Sequence, residues 1–473
     1  MNFIFNHNEG VRYLWKSPTL MKSNLGFYGG VGSVTGANFM LDTGGAAILV
    51  DCGLEQGSKF ASESNAKAFV YNPSDCDVLM VTHAHADHIG RIPKLVKDGF
   101  AGVIYSTKPT KDLAAIMLAD ALKVMEYENE RYGYEILYEA GDIQAALKLW
   151  KSVDYNEQIS LPDGVMAYYS DAGHILGSGM VHLSRGGKTI VFTGDIGNVP
   201  QPLLSAPVVP VDYDYMVMES VYGDRLHEEV AERTSLLQHY IEDTRHKGGT
   251  LIIPAFSLER TQTMLLEINN MVEAGTIKPI PVYLDSPLAI EVTGVYRAYT
   301  NYLKPEVQEQ IRGGDDIYDF DGLEFTESMK ESYGIDTSKG AKVIIAGSGM
   351  SHGGRIRRHE QNYLSDPKTT VLLVGYQAAG SLGRILQDGA KKATIDGKEV
   401  KVKAQIAQIR GYSGHADRDQ LIGLVAGGCS KVKQVFVVMG EERSSLFLTQ
   451  RLRDYLGVNA KAPNQNEEVE IDF

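Results

Sequence analysis

The residues best equipped for chemistry lie in Thr82-His83-Ala84-His85-Ala86-Asp87-His88-Ile89-Gly90, directly after the apolar run Val78-Leu79-Met80-Val81. Three imidazoles and a carboxylate at this spacing are metal-ligand chemistry. His83 and His85, alternating at a strand end, can reach one ion from the same side, while the adjacent Asp87 and His88 turn toward a second. Two ions need more ligands than one loop supplies. Asp171-Ala172-Gly173-His174-Ile175-Leu176-Gly177-Ser178 offers a histidine framed by glycines, where backbone can approach closely. Asp195 follows the apolar Thr189-Ile190-Val191-Phe192 through Thr193-Gly194, and Gly411-Tyr412-Ser413-Gly414-His415-Ala416-Asp417 presents a further histidine. A single His in a Gly-rich loop is more often structural. Four such strand ends in one chain point jointly to a metal centre.

The elements that must position these loops are strands alternating with helical stretches, an α/β or α+β pattern. Leu113, Ile116, Met117 and Leu122 recur at helical spacing between Lys108 and Val153, which predicts a helical hairpin outside the core. Its Tyr127, Tyr132, Tyr134 and Tyr138 read as packing residues with wet hydroxyls. After Tyr215 to Gly223 the pattern restarts as a compact α/β unit. Strands are predicted at 251–254, 281–285, 343–346 and 371–374, with a helix over 258–269. Strand 343–346 leads into Gly347-Ser348-Gly349-Met350-Ser351-His352-Gly353-Gly354-Arg355 and a helix, so Ser348, Gly349, Gly353, Gly354 and Arg355 form a candidate phosphate site. A structural turn has equal standing there. A strand is expected over Lys401 to Ile409, a solvated loop over Asp315 to Asp321, and an edge strand over Glu467 to Phe473.

With 473 residues the chain exceeds one simple core. Cys52, Cys76 and Cys429 are odd in number and contain no Cys-x-x-Cys pair, which argues against a disulfide framework or a cysteine zinc site and for a reducing cytosol. Met1 to Asn8 lacks a basic region followed by an apolar core, and no run approaches membrane-spanning length, so a cytoplasmic protein without a membrane partner is expected. The net charge is −14, from 46 basic and 60 acidic residues, which disfavours indiscriminate coating of nucleic acid. Local cations remain: Arg355, Arg357 and Arg358, and the run Lys391, Lys392, Lys398, Lys401, Lys403, whose simplest reading is a solvated face.

The ordered motifs HAHADH, DAGHILGSG, FTGDIG and GYSGHAD resemble the metallo-β-lactamase superfamily, and specifically its β-CASP RNA-processing branch. Gly29 to Asn38, Ile48 to Gly53 and Gly347 to Arg355 match that branch too, so the likeness spans nearly the whole chain. It implies a four-layer αββα core (1–220 and 385–473) with an inserted α/β β-CASP domain over 221–384. It further implies two Zn2+ per chain, with His83, His85 and His174 on the first, Asp87, His88 and His415 on the second, and Asp195 bridging. Two irons are disfavoured, since iron-binding members carry Glu where this chain has Ala86. Asp51 and Asp417 are expected to orient the ligating imidazoles, with ordinary loop capping an equal reading.

The implied activity is hydrolysis of RNA phosphodiesters, endonucleolytic on single-stranded RNA, with an exonuclease contribution left open. DNA cleavage, small-molecule hydrolysis and a non-catalytic scaffold are the alternatives. DNA-repair members typically carry valine at the place of His415, the additional domain disfavours a small-molecule hydrolase, and all seven ligands are present. A homodimer is a candidate assembly on which the sequence is silent. One departure stands out. In polyadenylation-type nucleases a histidine after the Gly-Tyr turn of the insert pairs with the acid equivalent to Glu219 and protonates the leaving oxygen. Here Gly375 to Leu386 contains no histidine, and Arg384, one position away from that place, can stabilise charge but cannot give up a proton. Asp87, Glu219 and Arg384 are therefore the residues that the resemblance marks as catalytic.

Overall fold

Alternating and continuous apolar runs build two seven-stranded sheets packed face to face. The computed structural model describes residues 22–57, 61–227, 232–375, 377–378 and 380–473; the N-terminal segment read for a leader lies outside them. In the first sheet the order is Glu467–Asp472, Lys22–Gly29, Asn38–Asp42, Ala47–Val50, Val78–Met80, Val103–Thr107 and Trp150–Val153. The first four are antiparallel, and the last three continue in parallel from Ala47–Val50. In the second sheet the order is Ala460–Lys461, Gln434–Val437, Tyr215–Met218, Lys188–Phe192, Gly179–Arg185, Met166–Asp171 and Ile159–Ser160. Both sheets are antiparallel toward one edge and parallel toward the other. The parallel strands Val78–Met80 and Tyr215–Met218 are buried at every position, as strands covered on both faces must be.

Between the sheets Phe27 meets Phe436 at a ring separation of 5.1 Å and Phe39 meets Phe192 at 6.4 Å. Leu25, Ile48, Val50, Val181, Ile190 and Val217 complete this inner core. Helices cover both outer faces. On the second sheet Leu421, Leu424, Leu448 and Leu452 from helices Arg418–Ala426 and Glu442–Leu456 pack on Met216, Met218 and Val435. On the first, helix Lys108–Tyr132 starts at Thr107, whose hydroxyl accepts from Thr110 N, and stops at Gly133, where φ is 72°. Four αββα layers result.

The expected hairpin ends at Leu149, because Trp150–Val153 joins the sheet edge and the Trp150 indole donates to Ser106 Oγ at 2.8 Å. Of its tyrosines only Tyr138 is packed; Tyr127, Tyr132 and Tyr134 are exposed, since they lie at the solvent-facing far end of the hairpin. Glu467–Asp472 is an edge strand, with Ile471 turned inward. The strand expected over Lys401 to Ile409 is two: a hairpin strand Lys398–Lys401, and Gln405–Ile409. The chain breaks between them because the Lys403 and Ala404 amides donate to Leu364 O instead of to a ladder. Asp315 to Asp321 is no simple solvated loop, for Ile317, Tyr318 and Phe320 are buried.

A third, six-stranded sheet is parallel throughout, in the order Leu323–Phe325, Val282–Leu284, Lys342–Ala346, Thr250–Pro254, Thr370–Val374, Gln405–Ile409. Its last strand, Gln405–Ile409, runs through the short turn Arg410–Tyr412 into the loop that carries His415. This third sheet thereby leads into the loop that carries His415, through a strand that lies beyond 384, where the insert was expected to end.

Candidate metal centre and active site

Each site residue follows the C-terminal end of a strand, where an α/β sheet leaves its binding crevice. His83, His85 and His88 follow Val78–Met80, His174 follows Met166–Asp171, Asp195 follows Lys188–Phe192, and Glu219 follows Tyr215–Met218. The loops lie close enough to forbid side chains between them. A Cβ on Gly53 would fall 1.6 Å from Asp87 O, so only glycine allows that strand end to touch the histidine loop.

His83, His85, His174 and Asp195 bring one ligand atom each to a common point, and Asp195 joins Glu219 and His415 in a second group. Two ligands about 2.0–2.2 Å from one tetrahedral ion lie about 3.3–3.6 Å apart. The observed separations match: His83 Nε2 to Asp195 Oδ2 is 3.4 Å, His174 Nε2 to Asp195 Oδ2 is 3.5 Å, and His88 Nε2 to Asp195 Oδ1 is 3.3 Å. His85 Nδ1 lies 3.0 Å from His83 Nε2 and 3.2 Å from His174 Nε2. His88 Nε2 and Asp195 Oδ1 are both buried without a hydrogen-bond partner. Such orphaned atoms are costly in a protein interior and are satisfied by a cation. The donor set of imidazole and carboxylate suits zinc.

The far nitrogens set the tautomers. His88 Nδ1 lies 2.7 Å from Asp51 Oδ2, and His174 Nδ1 lies 2.9 Å from Gly414 O, so each donates there and leaves its Nε2 lone pair facing Asp195. Asp51 is itself fixed by Thr82 N and Thr82 Oγ1, each at 2.8 Å. Burial drives His83, His85 and His174 well below the ordinary histidine range, with neighbouring imidazoles adding to the effect, so they stand as neutral imidazoles, the form that can bind a cation. Burial pushes the Asp87 carboxyl up to about 6, against the opposing pull of His88. Burial also opposes the charge on His415, but Glu219 and Asp195 outweigh it and bring the group to about 9.

The other sequence-derived residues are placed differently. Glu219 lies 3.3 Å from His415 Nδ1 and accepts from Ile196 N at 2.6 Å. Asp417 does not touch the His415 ring; it caps the next helix, accepting from Asp419 N and Gln420 N. Arg384 pairs with Asp388 at 2.9 Å. In the glycine-rich turn Ser348 Oγ accepts from His352 N at 3.0 Å and more distantly from Gly353 N, while Gly349 sits against the Phe256 ring and Gly354 against Gly347 O. Arg355 turns into the insert, donating to Asp285 Oδ1 at 2.7 Å, Thr326 O at 2.8 Å and Glu327 O at 2.6 Å. The lysines of 391–403 are exposed. His359 is buried against Asp285 at 2.6 Å.

Apart from Arg384 and Gln377, sequence reasoning did not name the lining of the cleft beside the metal centre. A cavity of about 310 Å³ is lined by Tyr222, Arg225, His227, Gln377, Arg384 and Arg410 among others. His227 Nε2 donates to His415 O at 2.8 Å, and its ring meets Tyr222 edge-on at 4.5 Å. So a histidine does stand in this cleft, brought from the segment after Glu219. No spacing in the sequence marks Arg225, His227 and Arg410 as neighbours; only the placement of the insert makes them so.

Fold and site together define a metal-dependent hydrolase. Three family models tile the chain: the metallo-β-lactamase superfamily over 34–219, the β-CASP domain over 261–386, and the Zn-dependent metallo-hydrolase RNA specificity domain over 399–463. The chain is 35% identical to Ribonuclease TTHA0252 of Thermus thermophilus, across 89% of this chain and 94% of that protein. It is 31% identical to an RNase J-like protein of Methanocaldococcus jannaschii, across 89% and 93% respectively. It is 30% identical to the transcription termination factor FttA of Methanosarcina mazei, across 94% and 71%. A crystal structure of a protein of unknown function from Enterococcus faecalis V583 shares the fold, with a TM-score of 0.56, 11% identity, and coverage of 95% of this chain and all of that one. The chain belongs to the β-CASP branch of the metallo-β-lactamase superfamily.

Proposed function

We propose that the protein is a ribonuclease that cleaves single-stranded RNA internally, with two zinc ions held by His83, His85, His174, Asp87, His88 and His415 around Asp195. The observation that carries this reading is a ligand set at the spacing of shared coordination, set directly beside a cleft whose walls bring Arg225, Arg384 and Arg410 together. Bound cations supply a Lewis acid for the phosphoryl oxygens and make water more acidic. The chain's own residues do the rest. Asp51 and Gly414 O fix the imidazoles, the arginines attract the strand, and Glu219 holds His415 in place.

A net charge of −14 together with cations gathered in one cleft favours a strand threaded at that place over broad coating. Names of the relatives support RNA as the polymer. The described residues include no helix long and apolar enough to cross a membrane. Cys52 and Cys76 are buried free thiols, compatible with the reducing cytoplasm in which we place the reaction.

Cleavage of 5′- and 3′-labelled RNA and DNA of identical sequence tests the proposal. Internal cuts in RNA, with DNA at least ten times slower, are expected. Equal or preferential cutting of DNA would overturn it.

A further inference from the structure

Arg260 carries a guanidinium with no hydrogen bond or ion pair among the described residues, in a partly buried position, with its Nε fully buried. That is unusual, because a guanidinium held partly out of water is costly when its donors have no hydrogen-bond partner. Arg233 shows the ordinary arrangement. Both arginines flank the Tyr412 ring, at 5.6 Å for Arg233 and 5.9 Å for Arg260. Yet Arg233 also pairs with Glu267 at 3.1 Å and donates to Pro200 O and Gly411 O. Stacking on Tyr412 therefore does not account for the vacant donors of Arg260.

The backbone holds Arg260 there at a cost. Glu259, the preceding residue, has φ 68° and ψ −54°, and Arg260 N donates to Leu258 O at 2.9 Å. This is the γ-turn of positive φ, rare and strained for a residue with a side chain, worth about 1–3 kcal/mol. The strain is held in place by the buried Glu259 carboxyl, which accepts from Thr263 Oγ1 at 3.0 Å and Tyr296 OH at 2.7 Å. The turn opens helix Arg260–Glu273 and directs the guanidinium at the metal loops. A Cβ on Gly414 would meet Arg260 Nη2 at 3.7 Å and the ligating ring of His174 at 3.4 Å, so guanidinium and ligand converge on one point.

Resting on the ribonuclease reading, we propose that Arg260 is a catalytic residue whose free donors take a non-bridging oxygen of the phosphodiester being cleaved. The partner is a tetrahedral phosphate anion, and the guanidinium supplies the planar donor pair that such an anion accepts. Burial, which lowers the pKa of Arg260 to about 10, still leaves it charged at neutral pH. Its donors are held in place by the fold and need not reorganise when charge develops on phosphorus.

The test uses the zinc-loaded full chain and its Arg260→Ala, Arg260→Lys and Arg260→Gln variants. For Arg260→Ala, turnover of single-stranded RNA should fall about 10²–10³-fold with little change in KM, as when one preorganised donor is lost. Methylguanidinium at millimolar concentration should restore part of the loss, and Arg260→Lys should lie between. Binding of inorganic phosphate, followed by calorimetry, should weaken in Arg260→Ala and Arg260→Gln. Turnover within threefold of the unsubstituted protein would overturn the proposal, as would a loss without rescue and with phosphate binding intact. If the unsubstituted protein binds phosphate through Arg260 but cuts no RNA, the anion site stands and the ribonuclease reading falls.

Discussion

Replacing Asp51 with Asn isolates how the chain prepares a ligand without touching a ligand. Asp51 is 1% exposed and accepts three hydrogen bonds, from Thr82 N, Thr82 Oγ1 and His88 Nδ1. Its φ of 59° is one that Asn also adopts readily, so the backbone is kept. The Asn carbonyl can still accept from Thr82 N, but its NH2 group would face His88 Nδ1. That reverses the imidazole tautomer and puts a proton on Nε2, the atom turned to Asp195. Changes to such orienting partners cost about 10–100-fold in metal affinity, or about 1.4–2.7 kcal/mol. Asp51→Asn should therefore fold, keep one tightly held zinc at His83, His85 and His174, and lose the second to a chelator at least tenfold more readily. Asp51→Ala should also lose about 1–3 kcal/mol of stability, because the buried Thr82 N is left unpaired. The assay is zinc retained per chain against graded chelator, with thermal melting alongside. If Asp51→Asn held both ions as tightly as the unsubstituted chain, the tautomer argument would be refuted.

Arg355→Ala should destabilise the protein by roughly 1.5–3 kcal/mol in urea unfolding, since Asp285 is fully buried and loses a charged donor; an unchanged unfolding midpoint would show the pair to be idle, and the salt dependence of RNA binding should stay as it was. Arg384→Ala should instead flatten the slope of log affinity against log salt by about 0.7, the share of one phosphate on a single strand, and an unaltered slope would remove Arg384 from the RNA path. Burial raises the Glu360 carboxyl to about 8, so between its ordinary value and 8 the unfolded chain ionises while the folded one keeps its proton, and stability falls as pH rises through that window. Glu360→Gln should then gain up to roughly 4 kcal/mol at pH 9 relative to pH 5; equal effects at both pH values would contradict it.

The metal loops were legible because their chemistry is local: three histidines and an aspartate within six residues need no fold to be recognised as ligands. The strands carrying them were equally plain, since buried parallel strands such as Val78–Met80 are continuous apolar runs. What failed to show was whatever depends on distant segments meeting. Arg355 follows a glycine-rich turn and reads as a phosphate ligand, but Asp285, 70 residues away in sequence, takes its guanidinium. Asp417 sits two residues from His415 and reads as its orienting partner, but in the structure it caps a helix, while Glu219 makes that contact from 196 residues away. The cleft arginines come from three separate segments, which no spacing in the sequence joins.

Zinc content and RNA cleavage, measured on the same samples before and after chelation and again after zinc is restored, test the central claim most directly. Two zinc ions per chain, cleavage lost with them and regained on their return, and neither binding nor cleavage restored in folded Asp195→Ala are the results expected from a carboxylate shared by both ligand groups. Full cleavage by the metal-free protein, or by Asp195→Ala, would contradict the account.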